Sequence, residues 1–159
     1  MPTVLIAGGS GLTGTALSKL LLRKGYTVII LSRQKRTGNK GLLKTNAATA
    51  APNQLTDAYW NTVDQIIDAD AVARADYIIH LAGAGVADKR WTPKRKNEIM
   101  SSRVRSSELI VKALREIPNN VKAVVSASAI GWYGPDLAEP GSAPFTEDQP
   151  ADTAFLGET

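Results

Sequence analysis

Three glycines near the amino terminus, Gly8, Gly11 and Gly14, are spaced as Gly-x-x-Gly-x-x-Gly. In a turn between a strand and a helix, the first glycine permits a tight bend and the second lets the backbone approach a pyrophosphate. The third lets the helix and the strand pack closely. Backbone N–H groups and the helix dipole then face a dianionic group. The pattern predicts a dinucleotide site in the turn that contains Gly8, Ser10 and Gly11.

Two other interpretations of this turn follow from the same residues. A glycine-rich turn can be purely structural and hold no ligand. A P-loop is excluded, because no Gly-Lys-Ser/Thr follows the first glycine at the required distance. A second apolar run ends at the distance expected for a βαβ unit, which favours dinucleotide binding over a turn without a ligand.

The end of that second apolar run indicates which dinucleotide is preferred. It reads Leu31-Ser32-Arg33 and is followed by Lys35 and Arg36, without the carboxylate that commonly binds the ribose hydroxyls of NAD. Three cations can surround a 2′-phosphate through charge-assisted hydrogen bonds. The sequence therefore favours NADP(H) over NAD(H), with Arg33, Lys35 and Arg36 at the phosphate. The alternative is a solvated basic loop.

Hydrophobic periodicity predicts the elements that position these residues. Strands are expected over residues 3–7, 26–31, 58–63, 66–67, 77–81 and 121–126. Helices are expected over residues 12–24 and 70–75, from Thr92-Pro93 to Pro118, and from Phe155 onward. Residues 32–56 and the chain from Gly131 are interpreted as loops. In the long helix, one apolar face is predicted to be buried, formed by Met100, Val104, Ser107, Val111 and Leu114.

This alternation of strands and helices predicts an α/β fold with a doubly wound parallel sheet, the NAD(P)-binding Rossmann fold. The prediction is one domain over residues 1–159 that is incomplete, because such a domain normally continues past its fifth strand. We therefore expect the N-terminal portion of a longer protein, with a C-terminal substrate lobe absent from this chain.

Composition excludes several classes of protein. The chain has 159 residues, no cysteine and a formal net charge of +4, so disulfides and thiolate metal sites are impossible. No spacing of metal ligands is present. The basic residues form no dense stripe with interleaved aromatics, which argues against nucleic acid as a partner. No targeting segment or membrane-length apolar run occurs, so a cytoplasmic protein is expected. The sequence does not predict the oligomeric state.

Several motifs together resemble a known family. They are the segment from Ala7 to Gly14, Ile79-His80-Leu81-Ala82-Gly83, and Ser126-Ala127-Ser128 with Tyr133-Gly134 downstream. These resemble the extended and atypical short-chain dehydrogenase/reductases, the NAD-dependent epimerase/dehydratase group. The run Ala87-Asp88-Lys89-Arg90-Trp91-Thr92, with Lys96 and Ser102-Arg103, is similar to the subgroup called epimerase family proteins.

The resemblance assigns roles to individual positions. It implies that Gly8, Gly11, Leu12 and Thr13 line the pyrophosphate, and that Arg33 meets the adenosine phosphate. It places Leu81, Ala82 and Gly83 beside the cofactor ribose and Ser126 near the nicotinamide. Ser128 matches the family's catalytic serine, and Tyr133 is a candidate acid, although a loop aromatic packed beside Trp132 is the alternative.

One departure from the superfamily bears directly on chemistry. The superfamily's Tyr-x-x-x-Lys pair lowers the tyrosine pKa for proton transfer. At the corresponding positions this chain has Phe155 and Thr159. Phenylalanine cannot transfer a proton, so ordinary dehydrogenase chemistry is in doubt.

Three further features have two interpretations each. His80 is interpreted as a core residue and not as a catalyst. Arg103 is expected to be partly buried and to bind a carboxylate or phosphate, the alternative being an exposed cation. The segment 88–91 either contributes to a substrate pocket or caps the domain through Trp91.

These observations leave three functions. The first is an NADP(H)-binding short-chain dehydrogenase/reductase or nucleotide-sugar epimerase/dehydratase-like protein, acting on a small molecule of unspecified class. The second is a non-catalytic NADP(H)-binding sensor or scaffold. The third is a folded fragment that binds little without its second lobe.

Overall fold

The structure, a computed structural model, describes residues 1–34, 54–135 and 144–159. Along the chain its strands and helices are β1 (Thr3–Ala7), α1 (Leu12–Arg23), β2 (Thr27–Ser32), β3 (Leu55–Asn61), β4 (Ile66–Ile67), α2 (Ala69–Ala73), β5 (Tyr77–His80), α3 (Pro93–Glu116), β6 (Ala123–Ser126), a short 3₁₀ helix (Ile130–Tyr133) and α4 (Phe155–Glu158). No helix in these described ranges combines the length and apolar character needed to cross a membrane.

The strands form one sheet in the order β4-β3-β2-β1-β5-β6. All neighbouring pairs are parallel except β3 and β4, which are antiparallel. The strand order reverses at β1, which pairs with β2 on one side and with β5 on the other. The predicted doubly wound Rossmann-type sheet is confirmed. In such sheets ligands bind outside the carboxyl ends of the strands at this reversal, which is where the glycine turn follows β1.

Helices cover both faces of the sheet. One face buries Leu5, Ile29 and Ile78 against residues of α2 and α3, such as Val72 and Leu109. The other face forms a smaller cluster, in which Val4, Ile6, Val28 and Ile30 pack with Leu21 and Leu22 of α1. From Val4 to Ala7, strand β1 is apolar and buried, because both of its faces are covered.

The predicted buried face of the long helix is wrong. Met100, Val104 and Val111 are each more than a third exposed. The buried residues of α3 are instead Arg95, Ile99, Ser106, Leu109, Ile110 and Ala113. This face contains two polar residues, which made it less apolar in sequence, but both have hydrogen-bond partners inside the fold that offset the cost of burying them.

The boundaries of β3 also differ from the prediction. The strand begins at Leu55 because β3 pairs with β2 from Val28↔Leu55 onward, so the predicted loop 32–56 ends too late. At the other end, the side chain of Asn61 accepts hydrogen bonds from the N–H groups of Val63 and Asp64. These bonds turn the chain out of the strand after Asn61, two residues before the predicted end.

Candidate functional site

The glycine turn that follows β1 adopts the conformation its sequence demands. Gly8 has φ of +84°, a left-handed conformation that glycine adopts readily. Its carbonyl accepts a hydrogen bond from the N–H of Gly11 at 3.1 Å, which closes the turn. Gly11 is the N-cap of α1. The first-turn N–H groups of α1 have no intrahelical acceptors, as at any helix start, so they are available to an anion.

Two of the three motif glycines are required by contact with other backbone segments. A Cβ on Gly8 would lie 2.7 Å from the carbonyl carbon of Leu81, which follows β5. A Cβ on Gly14 would lie 2.6 Å from Cα of Gly9, so only glycine lets α1 pack against the turn. Gly11 differs, because its Cβ would meet only the oxygen of Gly8 at 3.4 Å. Its side has room for a ligand.

A cavity of about 550 Å³ opens at this edge of the sheet, between the glycine turn, the ends of β2, β3 and β5, and α3. It brings together seven of the residues that the sequence predicted to bind the cofactor, namely Gly8, Ser10, Gly11, Arg33, Leu81, Ala82 and Gly83. These residues come from three segments that are far apart in the sequence. The fold thus brings residues that are distant in sequence together around one cavity, where a ligand could bind them all.

The remaining predicted residues lie elsewhere. Leu12 is 93% exposed and lines a shallow groove on the outer side of the turn, together with Ser10 and Gly11. Thr13 and Gly14 form the first turn of α1. Lys35 and Arg36 fall outside the described residues.

The residues predicted near the nicotinamide are not on the lining of this cavity. Ser126 Oγ lies 3.3 Å from Nδ1 of His80. Ser128 is exposed in the segment after β6. Tyr133 stacks on Phe145, with ring centroids 5.1 Å apart. These positions keep their roles only as predictions.

Sequence reasoning missed the wall of the cavity that α3 supplies. That wall carries the polar side chains Arg95, Glu98, Ser101, Ser102, Arg105 and Ser106. Arg95, Glu98, Ser102 and Arg105 follow one another at steps of three, four and three residues. That is the spacing of one helical face, so a polar stripe was present in the sequence. Hydrophobic periodicity does not reveal such a stripe, because it follows the apolar positions of a helix.

Three side chains of α3 fasten the loop after β5 to the helix. The Ser102 hydroxyl accepts a hydrogen bond from the N–H of Ala84 at 2.9 Å. Arg103 donates to the carbonyl of Ala84 at 3.2 Å, and Arg95 donates to the carbonyl of Gly85. Arg103 is therefore half-buried, as predicted, but it holds the protein's own backbone. Side chains of α3 therefore hold the loop after β5, which is expected to pass beside the cofactor.

Arg95 also forms ion pairs with two carboxylates on the cavity wall. Its guanidinium lies 2.8 Å from the carboxylate of Glu98 and 3.4 Å from that of Asp88. The hydrogen bond from Arg95 lowers the pKa of Glu98 below its ordinary value. Nε of Arg95 is buried and has no hydrogen-bond partner in the described part of the chain. Across residues 1–34, 54–135 and 144–159, no three or more metal-ligating side chains gather.

His80 ends β5 as a buried residue with partners on both sides. Nε2 lies 2.8 Å from Oγ of Ser106, and Nδ1 lies 3.3 Å from Oγ of Ser126. The pKa of His80 is lowered below its ordinary value of 6.5, mainly by burial and to a lesser extent by the positive charge of Arg103. The interpretation of His80 as a satisfied core residue agrees with this environment.

Phe155, at the start of α4, packs in an aromatic and cationic environment. Its ring centroid lies 5.4 Å from that of Trp91, edge to face, and the Lys96 ammonium lies 5.0 Å from it. Trp91 also donates from Nε1 to the carbonyl of Val86 at 2.8 Å. Of the two interpretations of segment 88–91, Trp91 fits the anchor, whereas Asp88 lines the cavity.

Comparison with known proteins decides the family. The family model described as NAD dependent epimerase/dehydratase family matches residues 4–154. The chain belongs to this family. A relative within it, the epimerase family protein YfhF of Bacillus subtilis, is 30% identical over 157 residues, which are 98% of this chain and 46% of YfhF.

Solved structures of epimerase/dehydratase-type proteins share the fold described above. Human epimerase family protein SDR39U1, solved with NADPH, superposes with a TM-score of 0.68 at 27% identity, over 98% of this chain and 45% of that one. UDP-glucose 4-epimerase from Bifidobacterium longum, solved with NAD⁺ and UDP, gives a TM-score of 0.70 at 24% identity, over 98% and 45%. The chain therefore spans less than half the length of these relatives.

Proposed function

We propose that this chain binds NADP(H) at the carboxyl edge of its sheet and forms the cofactor-binding part of an oxidoreductase or epimerase-like protein that acts on a small molecule in the cytoplasm. Binding of a nicotinamide dinucleotide is consistent with its family. The choice of NADP(H) over NAD(H) rests on the end of β2, where Arg33 lines the cavity and is followed by no carboxylate in the next three residues. The NADPH bound to the human relative supports the same choice.

The residues present fit such a cofactor. Contacts around Gly8 and Gly14 leave no space for a Cβ, whereas Gly11 faces open space beside the N-terminus of α1. A pyrophosphate needs this close approach to the backbone. When bound, the nicotinamide ring supplies hydride transfer chemistry. The chain's own contribution is to position the cofactor through the glycine turn and through the loop Leu81–Gly83, which α3 holds in place.

Titration of the purified chain with NADPH and NADH tests this proposal. We expect tighter binding of NADPH, and we expect Arg33→Asp to weaken NADPH binding by about tenfold or more, because a charge-assisted contact becomes repulsive. Arg23→Asp, on the outer side of α1, is the matched control. Equal affinity of Arg33→Asp and the unmodified chain for NADPH would contradict the assignment of the 2′-phosphate.

A non-catalytic NADP(H)-binding sensor or scaffold is the second candidate. It is favoured by Phe155, a side chain without a transferable proton that packs against Trp91 and Lys96. Hydride-exchange assays with carbonyl compounds and sugar nucleotides, carried out on the intact protein saturated with cofactor, separate the two candidates. Turnover with any of these substrates supports the enzyme, and tight binding without turnover supports the sensor.

A further inference from the structure

Two arginines that line the same cavity, Arg33 and Arg105, have guanidinium groups without an ion-pair partner among the described residues. Arg33 follows β2, and Arg105 lies on α3. Both are exposed, and neither has a carboxylate partner in the described ranges. The carboxylates on the cavity wall, Asp88 and Glu98, are both bound to Arg95. The cavity therefore presents unbalanced positive charge to a ligand.

The unbalanced charge is concentrated at one end of the cavity. Arg105 is ten residues beyond Arg95 on the same helix, which corresponds to about 15 Å along its axis. At the Arg95 end, one arginine is paired with two carboxylates, so this end carries no surplus of positive charge. Arg105 lies beside the turn between β3 and β4, and Arg33 directly follows β2, the strand that pairs with β3. A ligand that fills the cavity would thus have its most negative group between Arg33 and Arg105.

The wall that carries Arg105 is held in place by a contact that does not involve its guanidinium. The side-chain amide of Gln65 donates to the backbone carbonyl of Arg105 at 3.1 Å and to the carbonyl of Thr62 at 2.8 Å. Gln65 adopts φ of 53°, a left-handed conformation uncommon outside glycine, to make this connection. The β3–β4 turn and α3 are thereby joined at the cavity rim, while the Arg105 side chain stays free to bind.

We propose that Arg105 is a second cation for the 2′-phosphate of NADP(H), which it binds across the cavity from Arg33. The proposal rests on the proposed function, since it requires the dinucleotide to lie in this cavity. A phosphate monoester carries about two negative charges near neutral pH, and arginine matches its oxygens with paired N–H donors. One arginine from the sheet edge and one from α3 would then contact different oxygens of the same group.

Affinities of the full 159-residue chain for NADP⁺ and NAD⁺, measured by calorimetry, test this assignment. The variants are Arg105→Gln and, as a matched control on the same helix, Arg115→Gln, which lies in the last turn away from the cavity. We expect Arg105→Gln to weaken NADP⁺ binding by about tenfold, to leave NAD⁺ binding within about twofold, and Arg115→Gln to change neither. The variant should fold, because Gln65 holds the backbone of Arg105 and not its side chain.

Competition with adenosine 2′-monophosphate and adenosine 5′-monophosphate locates the contact within the ligand. Loss of affinity for the 2′-monophosphate alone supports the proposal. Equal losses for both would place Arg105 on the adenine or another shared group and overturn it, as would unchanged affinity for NADP⁺. In either case the proposed function stands, because the unmodified chain still binds NADP⁺. Failure of the unmodified chain to bind either dinucleotide would refute the proposed function itself, and with it this assignment.

Discussion

His80 on β5 and Ser106 on α3 are joined at the centre of the domain, where Nε2 of the imidazole lies 2.8 Å from the serine Oγ. The Ser106 hydroxyl also donates to the carbonyl of Arg103 at 3.0 Å, so its oxygen is left to accept from His80. A neutral ring with its proton on Nε2 satisfies this arrangement, and Nδ1 can then accept from Ser126. The pair links the sheet to its longest helix beside the cavity.

The environment of His80 predicts how stability depends on pH. Burial and the nearby charge of Arg103 lower the pKa of His80 in the folded chain below 6.5. As the pH falls through that value, the unfolded chain takes up a proton that the folded chain resists, so folding stability decreases. We expect the unfolding free energy of the unmodified chain to fall between about pH 7.5 and about pH 5.5.

The variant His80→Gln isolates this contribution, because glutamine is polar but does not titrate. Urea denaturation at the same two pH values should give a smaller difference for His80→Gln than for the unmodified chain. The carboxylates of the chain titrate in both proteins and cancel in the comparison. Identical pH dependence in the two proteins would show that His80 is not held neutral by the fold.

Gly11 and Gly14, the two motif glycines at the start of α1, should respond differently to replacement by alanine. In Gly14→Ala the new Cβ would lie 2.6 Å from Cα of Gly9, and we expect stability to fall by about 1–3 kcal/mol from overpacking. In Gly11→Ala the Cβ has only the oxygen of Gly8 nearby at 3.4 Å, and φ of −73° suits alanine. Its stability should stay within about 0.5 kcal/mol of the unmodified chain.

Dinucleotide binding also distinguishes these two variants, because Gly11→Ala should keep its stability but lose affinity for NADPH. Gly11→Ala places a methyl group where the pyrophosphate approaches the backbone, so NADPH binding should weaken although the fold is intact. Thermal denaturation and NADPH titration of both variants provide the comparison. A Gly11→Ala variant that binds NADPH as tightly as the unmodified chain would argue against a pyrophosphate at this turn.

Replacement of Arg95 by methionine should have a moderate cost. The arginine side chain is 7% exposed, but its partners Asp88 and Glu98 are 65% and 54% exposed and would be hydrated once released. The main loss is the hydrogen bond to Gly85, so we expect Arg95→Met to destabilise the chain by about 1–2 kcal/mol.

Two further measurements check this interpretation of Arg95. The pKa of Glu98, followed by NMR, should rise in Arg95→Met toward its ordinary value, because Arg95 is the principal cause of its lowering. Arg115→Met, in the last turn of α3, should change stability by less than about 0.5 kcal/mol. A cost of about 3–5 kcal/mol for Arg95→Met would instead indicate that a fully buried ion pair had been broken.

The sheet could be predicted from the sequence because its strands are local patterns. Residues Thr3–Ala7 are mostly apolar and rich in β-branched side chains, and the glycine turn that follows them has a fixed spacing. The buried face of α3 could not be predicted in this way, since Arg95 and Ser106 are buried only because Gly85 and His80 provide partners from other elements. Burial of polar residues depends on tertiary contacts that no window of sequence contains.

In the candidate site, too, the residues set by local sequence patterns were predictable and those set by tertiary contacts were not. Gly8, Gly11 and Arg33 belong to one βαβ unit and were recognisable from their spacing. Arg105 reaches the cavity because α3 packs against the sheet, and Gln65, forty residues earlier, joins the β3–β4 turn to it. The half of the site within one supersecondary unit was therefore predicted, and the half that depends on the docking of a distant helix was not.

The contact between Gln65 and Arg105 also has a thermodynamic consequence. The cavity wall exists only while the β3–β4 turn and α3 are docked against each other, so a ligand held between Arg33 and Arg105 would bind the folded chain and not the unfolded one. By mass action, each tenfold excess of ligand over its dissociation constant adds about 1.4 kcal/mol to the stability of the whole domain. Cofactor concentration in the cell would then set how long this polypeptide resists unfolding and proteolysis.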